Sequence, residues 1–283
     1  MPFQPDYYVP PERTAYTYTA VSPTNRARVG CLMLHGFMGS PTSTRPLAQH
    51  LAQQGVTVHC PLLPGHGEYP HRMHNIPRQA WIAEAEEALA YIRPQCDQLF
   101  LMGHSMGNVL AAHLITTVGG FQGIIMLAPV YELPDKRLNW MRWLRYIMPW
   151  FYPYKLKKTR GLVKERVHDF DPTIDFDDPT VQAWLPQATR IPTGSLAEMA
   201  AMISWGHSLW PRLDLPALLF EGQKDKAVPM GTIEQIYNLL PTADKHLESL
   251  PHAGHEMMRP FDPAHEKVWQ MIVHFMRQHA DLK

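Results

Sequence analysis

The chain has 283 residues, 45% of them apolar, with 26 Lys and Arg balanced against 26 Asp and Glu. That length admits two average domains or one large α/β domain with an insertion, and the apolar content excludes a disordered or collagen-like chain. A formal net charge of zero argues against a dedicated nucleic-acid binder, and Cys31, Cys60 and Cys96 lie too far apart for a disulfide scaffold or zinc module.

No run approaches the ~20 apolar residues of a membrane-spanning helix, and the first residues carry no basic leader before an apolar stretch. The expectation is a soluble, cytoplasmic protein. The 27 prolines are about twice the usual ~5%, a weak sign of heat tolerance through stiffened loops.

Taken in chain order, Val29 to Leu34 is apolar on both faces and predicts a buried strand ending at His35-Gly36. Leu47 and Leu51 sit at helical spacing with Gly55 as the stop, and Val56 to Cys60 predicts a second strand. Trp81, Ala85, Leu89 and Ile92 mark a helix opened by Pro77. Leu99 to Met102 is a third strand, Val109 to Thr117 a helix, and Gly123 to Ala128 a fourth strand. This alternation predicts a mostly parallel sheet with helices on both faces. It breaks from Tyr131 to Trp210 and resumes with strand Ala217–Phe220, helix Met230–Leu240, strand His246–Leu250 and a last helix presenting Val268, Met271, Ile272 and Phe275. Residues 1–130 and 211–283 therefore read as an α/β core, and 131–210 as an inserted, mainly helical cap.

The strongest chemical signal is Gly103-His104-Ser105-Met106-Gly107, placed where a strand must turn sharply into a helix. A serine on such a turn projects its hydroxyl above the sheet, and the glycines are required because a side chain there collides with neighbouring backbone. The alternative is a helix-capping serine beside loop glycines. Ser105 is thus the candidate nucleophile. It needs a base oriented by an acid. His255 follows the strand ending at Leu250, at the sheet edge where Ser105 lies, and His252 in the same loop is its rival. Asp225 follows the Ala217–Phe220 strand, with Glu221 second; Asp214 and Asp244 fall at the opposite edge and read as turn residues. An oxyanion needs donors, and the amides of Phe37, after the first strand, and Met106 are placed for it.

His35-Gly-Phe-Met-Gly-Ser-Pro41, Arg45-Pro-Leu-Ala48, Pro61-Leu-Leu-Pro-Gly-His-Gly67 and Gly103-His-Ser-Met-Gly107 together resemble the α/β-hydrolase superfamily. Within it the chain most resembles bacterial monoacylglycerol lipases and carboxylesterases, over about residues 28–130 and 215–280, with only Ile191 to Met199 matching in the cap. The resemblance implies an α/β-hydrolase fold with Ser105, Asp225 and His255 as triad, and Phe37 and Met106 as oxyanion donors. It implies cleavage of a lipid ester, most of all a monoacylglycerol, with a broader carboxylesterase as alternative and a non-catalytic lipid-binding homologue as a remote one. The pattern departs at Asn108, where relatives often carry glycine. Haloalkane dehalogenases resemble the same pattern but have aspartate at the elbow. His71-Arg-Met-His74 and His252-Ala-Gly-His255 pair histidines without a third ligand, so neither metal nor cofactor is expected.

From Lys136 to Arg166 ten Lys or Arg face one acid, Glu165, with Trp140, Trp143, Tyr146, Trp150, Phe151, Tyr152 and Tyr154 interleaved. Asp169, Asp171, Asp175, Asp177 and Asp178 follow. Either the basic and acidic clusters pair while the aromatics pack inward, or the stretch rests on lipid headgroups; single-stranded nucleic acid is the least favoured partner. Trp140, Trp143, Trp150 and Phe151 are the candidate substrate contacts, lining an apolar cavity over Ser105. The expected solution state is a monomer or weak homodimer.

Overall fold

The computed structural model describes residues 3–21, 28–133, 141–170 and 173–282. Its centre is a seven-stranded sheet built from β1 (Tyr16–Tyr18), β2 (Val29–Leu34), β3 (Val56–Cys60), β4 (Gln98–His104), β5 (Gly123–Leu127), β8 (Ala217–Gly222) and β9 (Lys245–Leu250). The order is β1-β3-β2-β4-β5-β8-β9, and every pairing is parallel except β1 on β3. The antiparallel edge strand β1 is absent from the sequence reading, because three residues are too few to display a period.

Alternation along the strands sorts the core into two layers. Leu32, Leu34, Leu99, Leu101, Ile124, Met126 and Leu219 meet α2 (Arg78–Ile92), α3 (Gly107–Thr117) and α8 (Thr232–Leu239) on one face. Cys31, Met33, Phe100, Met102, Ile125, Leu127 and Phe220 meet α1 (Arg45–Gln53) and α9 (His265–His279) on the other. Coverage of both faces explains why β2, β3, β5 and β8 are buried at every residue. Each fully buried Leu, Ile or Phe contributes about 1.5–3 kcal/mol relative to exposure.

Between β5 and β8 the described residues form α4 (Met141–Leu144), α5 (Lys157–Phe170), α6 (Pro179–Ala188) and α7 (Thr193–Leu209), with a ribbon of β6 (Trp150–Phe151) and β7 (Ile191–Pro192). The first three helices and the ribbon stand apart from the sheet layers. In contrast, α7 sends Met199, Met202 and Ile203 into the cluster that holds α2 and α3. Among the described residues no helix is long and apolar enough to cross a membrane.

β2 is flanked by β3 on one side and β4 on the other, so the chain reverses its direction of travel across the sheet there. Such a reversal opens a crevice beyond the carboxyl ends of the strands. The loops after β2, β4, β8 and β9 all emerge at that edge.

Candidate active site

The turn from β4 into α3 is built around Ser105, whose φ of +53° lies in the left-handed region. A non-glycine residue there is strained, and the strain has to be held by its surroundings. The Ser105 N–H donates to the Leu127 carbonyl at 2.9 Å, and the Ser105 carbonyl accepts from the Asn108 N–H at 3.2 Å. Close packing dictates the flanking glycines. A Cβ on Gly103 would sit 2.4 Å from the Asn108 nitrogen, and one on Gly107 would sit 1.9 Å from the Leu34 carbonyl oxygen. Ser105 is 8% exposed.

Asp225 and His255 come together across thirty residues of chain. His255 Nδ1 lies 2.8 Å from Asp225 Oδ2, with the side chains 12% and 3% exposed respectively. A carboxylate only accepts, so Nδ1–H donates, leaving the Nε2 lone pair free to take a proton. The other oxygen, Oδ1, accepts from the amides of Ala227 at 2.7 Å and Val228 at 2.9 Å. Burial would raise the Asp225 pKa, but the hydrogen bond and charge of His255, with the Val228 and Ala227 amides, outweigh it and hold the carboxyl below its ordinary range. His252 is exposed. Glu221 braces the loop that carries Asp225, since its Oε1 accepts from the Gly231 amide at 2.8 Å and its Oε2 from the Ser249 hydroxyl at 3.4 Å. Asp214 and Asp244 precede β8 and β9, at the opposite edge.

The loop after β2 faces the elbow. His35, wholly buried, accepts the Leu63 N–H at Nε2 (3.1 Å) and therefore donates from Nδ1 to the Gly36 carbonyl (3.0 Å). Burial, reinforced by nearby His66, pushes its pKa down to about 3, so it works as a neutral brace. Gly36 accepts again from the Gly39 amide at 3.0 Å, closing the turn that presents Phe37. Behind it, the rings of Phe37, His66 and Trp81 pack edge to face at 5.7–6.2 Å. Met106 heads α3. Neither the Phe37 nor the Met106 amide donates to an acceptor among the described residues. The amino end of α3 favours a developing negative charge beside it.

Of the four candidate substrate contacts between β5 and β8, Trp140 lies outside the described residues. Trp143 is 60% exposed, turned to solvent rather than into a buried wall, because the four-residue α4 is too short to bury a full face. Trp150 and Phe151 are half-buried in β6; the Trp150 ring packs against His74 at 4.9 Å and under the Arg190 guanidinium at 4.3 Å. Among the described residues no three His, Cys, Asp or Glu side chains are grouped to hold a metal.

Three supports were missed from the sequence. Asn108, wholly buried, donates from Nδ2 to the Ser105 and Leu127 carbonyls, both at 3.0 Å, so the departure from glycine ties the elbow to β5. His104 Nε2 lies 2.9 Å from the His255 carbonyl oxygen, and Asp262 Oδ2 accepts the Gly254 amide at 2.8 Å. The polar residue at position 108, where only helix is required, was a signal for the first. Neither of the others had one, since both bonds depend on which loops become neighbours.

A serine on a strained strand-to-helix turn, an Asp–His pair on the loops after β8 and β9, and a mostly parallel sheet beneath them define an α/β-hydrolase of the serine type. The serine aminopeptidase, S33, family matches residues 25–263, and the chain belongs to it. The thermostable monoacylglycerol lipase of Bacillus sp. (strain H-257) is 27% identical over 252 residues, 89% of this chain and 92% of the relative. The carboxylesterase of Bacillus subtilis (strain 168) is 21% identical over 85% of this chain and 91% of its own length. Among solved structures, a metagenome-derived lipolytic enzyme superposes with a TM-score of 0.77 at 24% identity, over 96% of this chain and 100% of the other, and shares the fold. The chain is a serine ester hydrolase.

Proposed function

We propose that the chain hydrolyses monoacylglycerols to fatty acid and glycerol through an acyl-enzyme on Ser105. The observation that carries the mechanism is the 2.8 Å Asp225–His255 bond beside the Ser105 elbow; the 27% identical monoacylglycerol lipase supports the substrate. Ser105 Oγ attacks the ester carbonyl while His255 Nε2 takes its proton, and the imidazolium then returns that proton to the departing glycerol oxygen. Asp225 holds the Nδ1–H tautomer and stabilises the cation. The Phe37 and Met106 amides stabilise the tetrahedral oxyanion. Water deprotonated by His255 then releases the acid.

In the same reading residues 131–210 act as the cap, anchored to the core by α7. Trp150 and Phe151, with Phe37, form the acyl wall. We assign Trp143 instead to contact with a lipid surface, together with Tyr146, Ile147 and Met148, which are 73%, 85% and 40% exposed. Lys155 and Arg160 lie over the rings of Tyr152 and Tyr154, which gathers basic and aromatic side chains of the kind that meet lipid headgroups. The enzyme is cytoplasmic and a monomer or weak homodimer, a state that light scattering checks. Initial rates across monoacylglycerols of rising acyl length, beside short p-nitrophenyl esters and a triacylglycerol, test the substrate, with Ser105→Ala as blank. A maximum on medium or long monoacylglycerols supports the reading. Activity confined to short esters favours the second reading, a broad carboxylesterase, to which the Bacillus subtilis relative points.

A further inference from the structure

The loop after β9 carries His255 between two prolines, Pro251 and Pro260, and has no regular secondary structure of its own. Gly254, which precedes His255, adds backbone freedom at the position where the base has to be held still. Two side chains outside the triad supply what the loop lacks. His104 is 4% exposed, and its Nε2 lies 2.9 Å from the His255 carbonyl oxygen. Since a carbonyl only accepts, Nε2 carries the proton and donates. Asp262 is 6% exposed; Oδ2 accepts the Gly254 N–H at 2.8 Å, while Oδ1 accepts the Ala264 N–H at 2.9 Å just before α9.

These bonds take the Gly254-His255 dipeptide by its two ends, the amide that enters it and the carbonyl that leaves it. The two grips are also tied to different parts of the fold. Asp262 anchors the dipeptide to the start of α9. His104 is the last residue of β4 and the covalent neighbour of Ser105, so it anchors the same dipeptide to the strand that carries the serine. The His104 and His255 rings lie 4.7 Å apart at 50°, which leaves little room for the base to swing toward β4.

We propose that His104 is a positioning residue that keeps His255 in register with Ser105, with Asp262 holding the dipeptide from the opposite side. The proposal rests on the reading of His255 as the base. His104 never meets the substrate; it acts by linking the turn of the nucleophile to the loop of the base, so that the two move together. A misplacement of about 1 Å in such a pair costs on the order of a hundredfold in turnover.

The test compares His104→Leu, which keeps bulk without a donor, with His104→Gln, whose side-chain N–H still reaches a carbonyl. Turnover, KM and the rate of fluorophosphonate labelling are measured on the full chain, with Ser105→Ala and His255→Ala as references. The expected result is a fall in kcat and labelling rate of roughly ten- to a hundredfold for His104→Leu, with KM within about twofold, and recovery to within about threefold of the parent for His104→Gln. A parent-like His104→Leu, or a His104→Gln as slow as His104→Leu, overturns the proposal. If His104→Leu does not fold by thermal melt, His104→Gln and Asp262→Ala decide: a near-parent Gln variant with kcat of Asp262→Ala reduced at least tenfold supports the clamp, and any other pairing overturns it. A His255→Ala that kept turnover would remove the base assignment together with the clamp, whereas an inactive His255→Ala beside a fully active His104→Leu removes the clamp alone.

Discussion

Gly107→Ala should separate the two halves of the proposed oxyanion site. A Cβ at this position lies 1.9 Å from the Leu34 carbonyl oxygen, 2.6 Å from its carbon and 2.9 Å from the His35 carbonyl oxygen. An unstrained carbon–oxygen contact needs ~3.3 Å or more, so the end of β2 and the start of α3 have to part by roughly 1.4 Å. Neither side yields easily, since Met33, Leu34, Met106 and Leu110 are wholly buried. Overpacking of this kind costs about 1–3 kcal/mol, and backbone on both sides of the clash places it near the upper figure. At ~2.1 cal/mol/K per residue, a chain of this length unfolds with about 0.6 kcal/mol/K, so ~3 kcal/mol lowers Tm by about 5 °C. Activity should suffer more than stability. The wedge enters between Met106 and the His35–Phe37 turn, and the loss of one aligned oxyanion donor costs about 10²–10³ in kcat. Thermal melts with kcat on a p-nitrophenyl ester read both quantities. Gly161→Ala is the reference: nothing lies within 4 Å of its Cβ in α5, and removal of a helical glycine should stabilise by about 0.5–1 kcal/mol. A Gly107→Ala protein with the Tm and kcat of the parent would refute the reasoning.

Asp225→Asn keeps the shape of the acid but offers an amide toward Nδ1, so His255 loses its tautomer; kcat should fall by on the order of 10⁴ while the fold persists by circular dichroism. A loss under tenfold would remove Asp225 from the mechanism. Asn108→Ala withdraws the donor from the Ser105 and Leu127 carbonyls and should cost about 1–3 kcal/mol in a urea melt; an unchanged midpoint would show that the elbow does not need it. Stability should also fall in mild acid. Burial holds His35 at about 3 and His66 at about 4, whereas in the unfolded chain each takes up a proton near ~6.5. The unfolded state therefore gains protons first, so this stabilisation is complete above about pH 6.5 and drains as the pH falls toward 4. A urea midpoint equal at pH 7.5 and pH 5 would contradict it.

Much of this architecture is local and was legible in the residues. Strands buried on both faces announce themselves as short apolar runs, and the elbow announces itself because 103 and 107 tolerate only glycine where strand meets helix. The candidate order Ser105, Asp225, His255 followed from which strand each residue trails. The edge strand β1 escaped notice, since three residues show no period. The pairing of basic and acidic clusters expected in one reading of the cap rests in part on Lys158, Glu165, Arg166, Asp169 and Asp171, whose side chains lie outside the described ones; Arg145 lies 3.6 Å from Glu198 on α7. Charge runs state composition, not geometry.

The remaining choices depended on distance across the fold. His255 rather than His252 meets Asp225, and Glu221 turns to Gly231, because the packing of the whole fold decides which side chains of adjacent loops face one another. The His104–His255 bond spans 151 residues. Backbone conformation is set within a few residues by sterics and solvent, so the sequence by itself determined the strands, the glycine-flanked elbow and the candidate residue at its tip. A hydrogen bond between loops requires two distant stretches of chain to be brought within about 3 Å by the whole sheet, and only the tertiary structure decided which side chains of these loops meet.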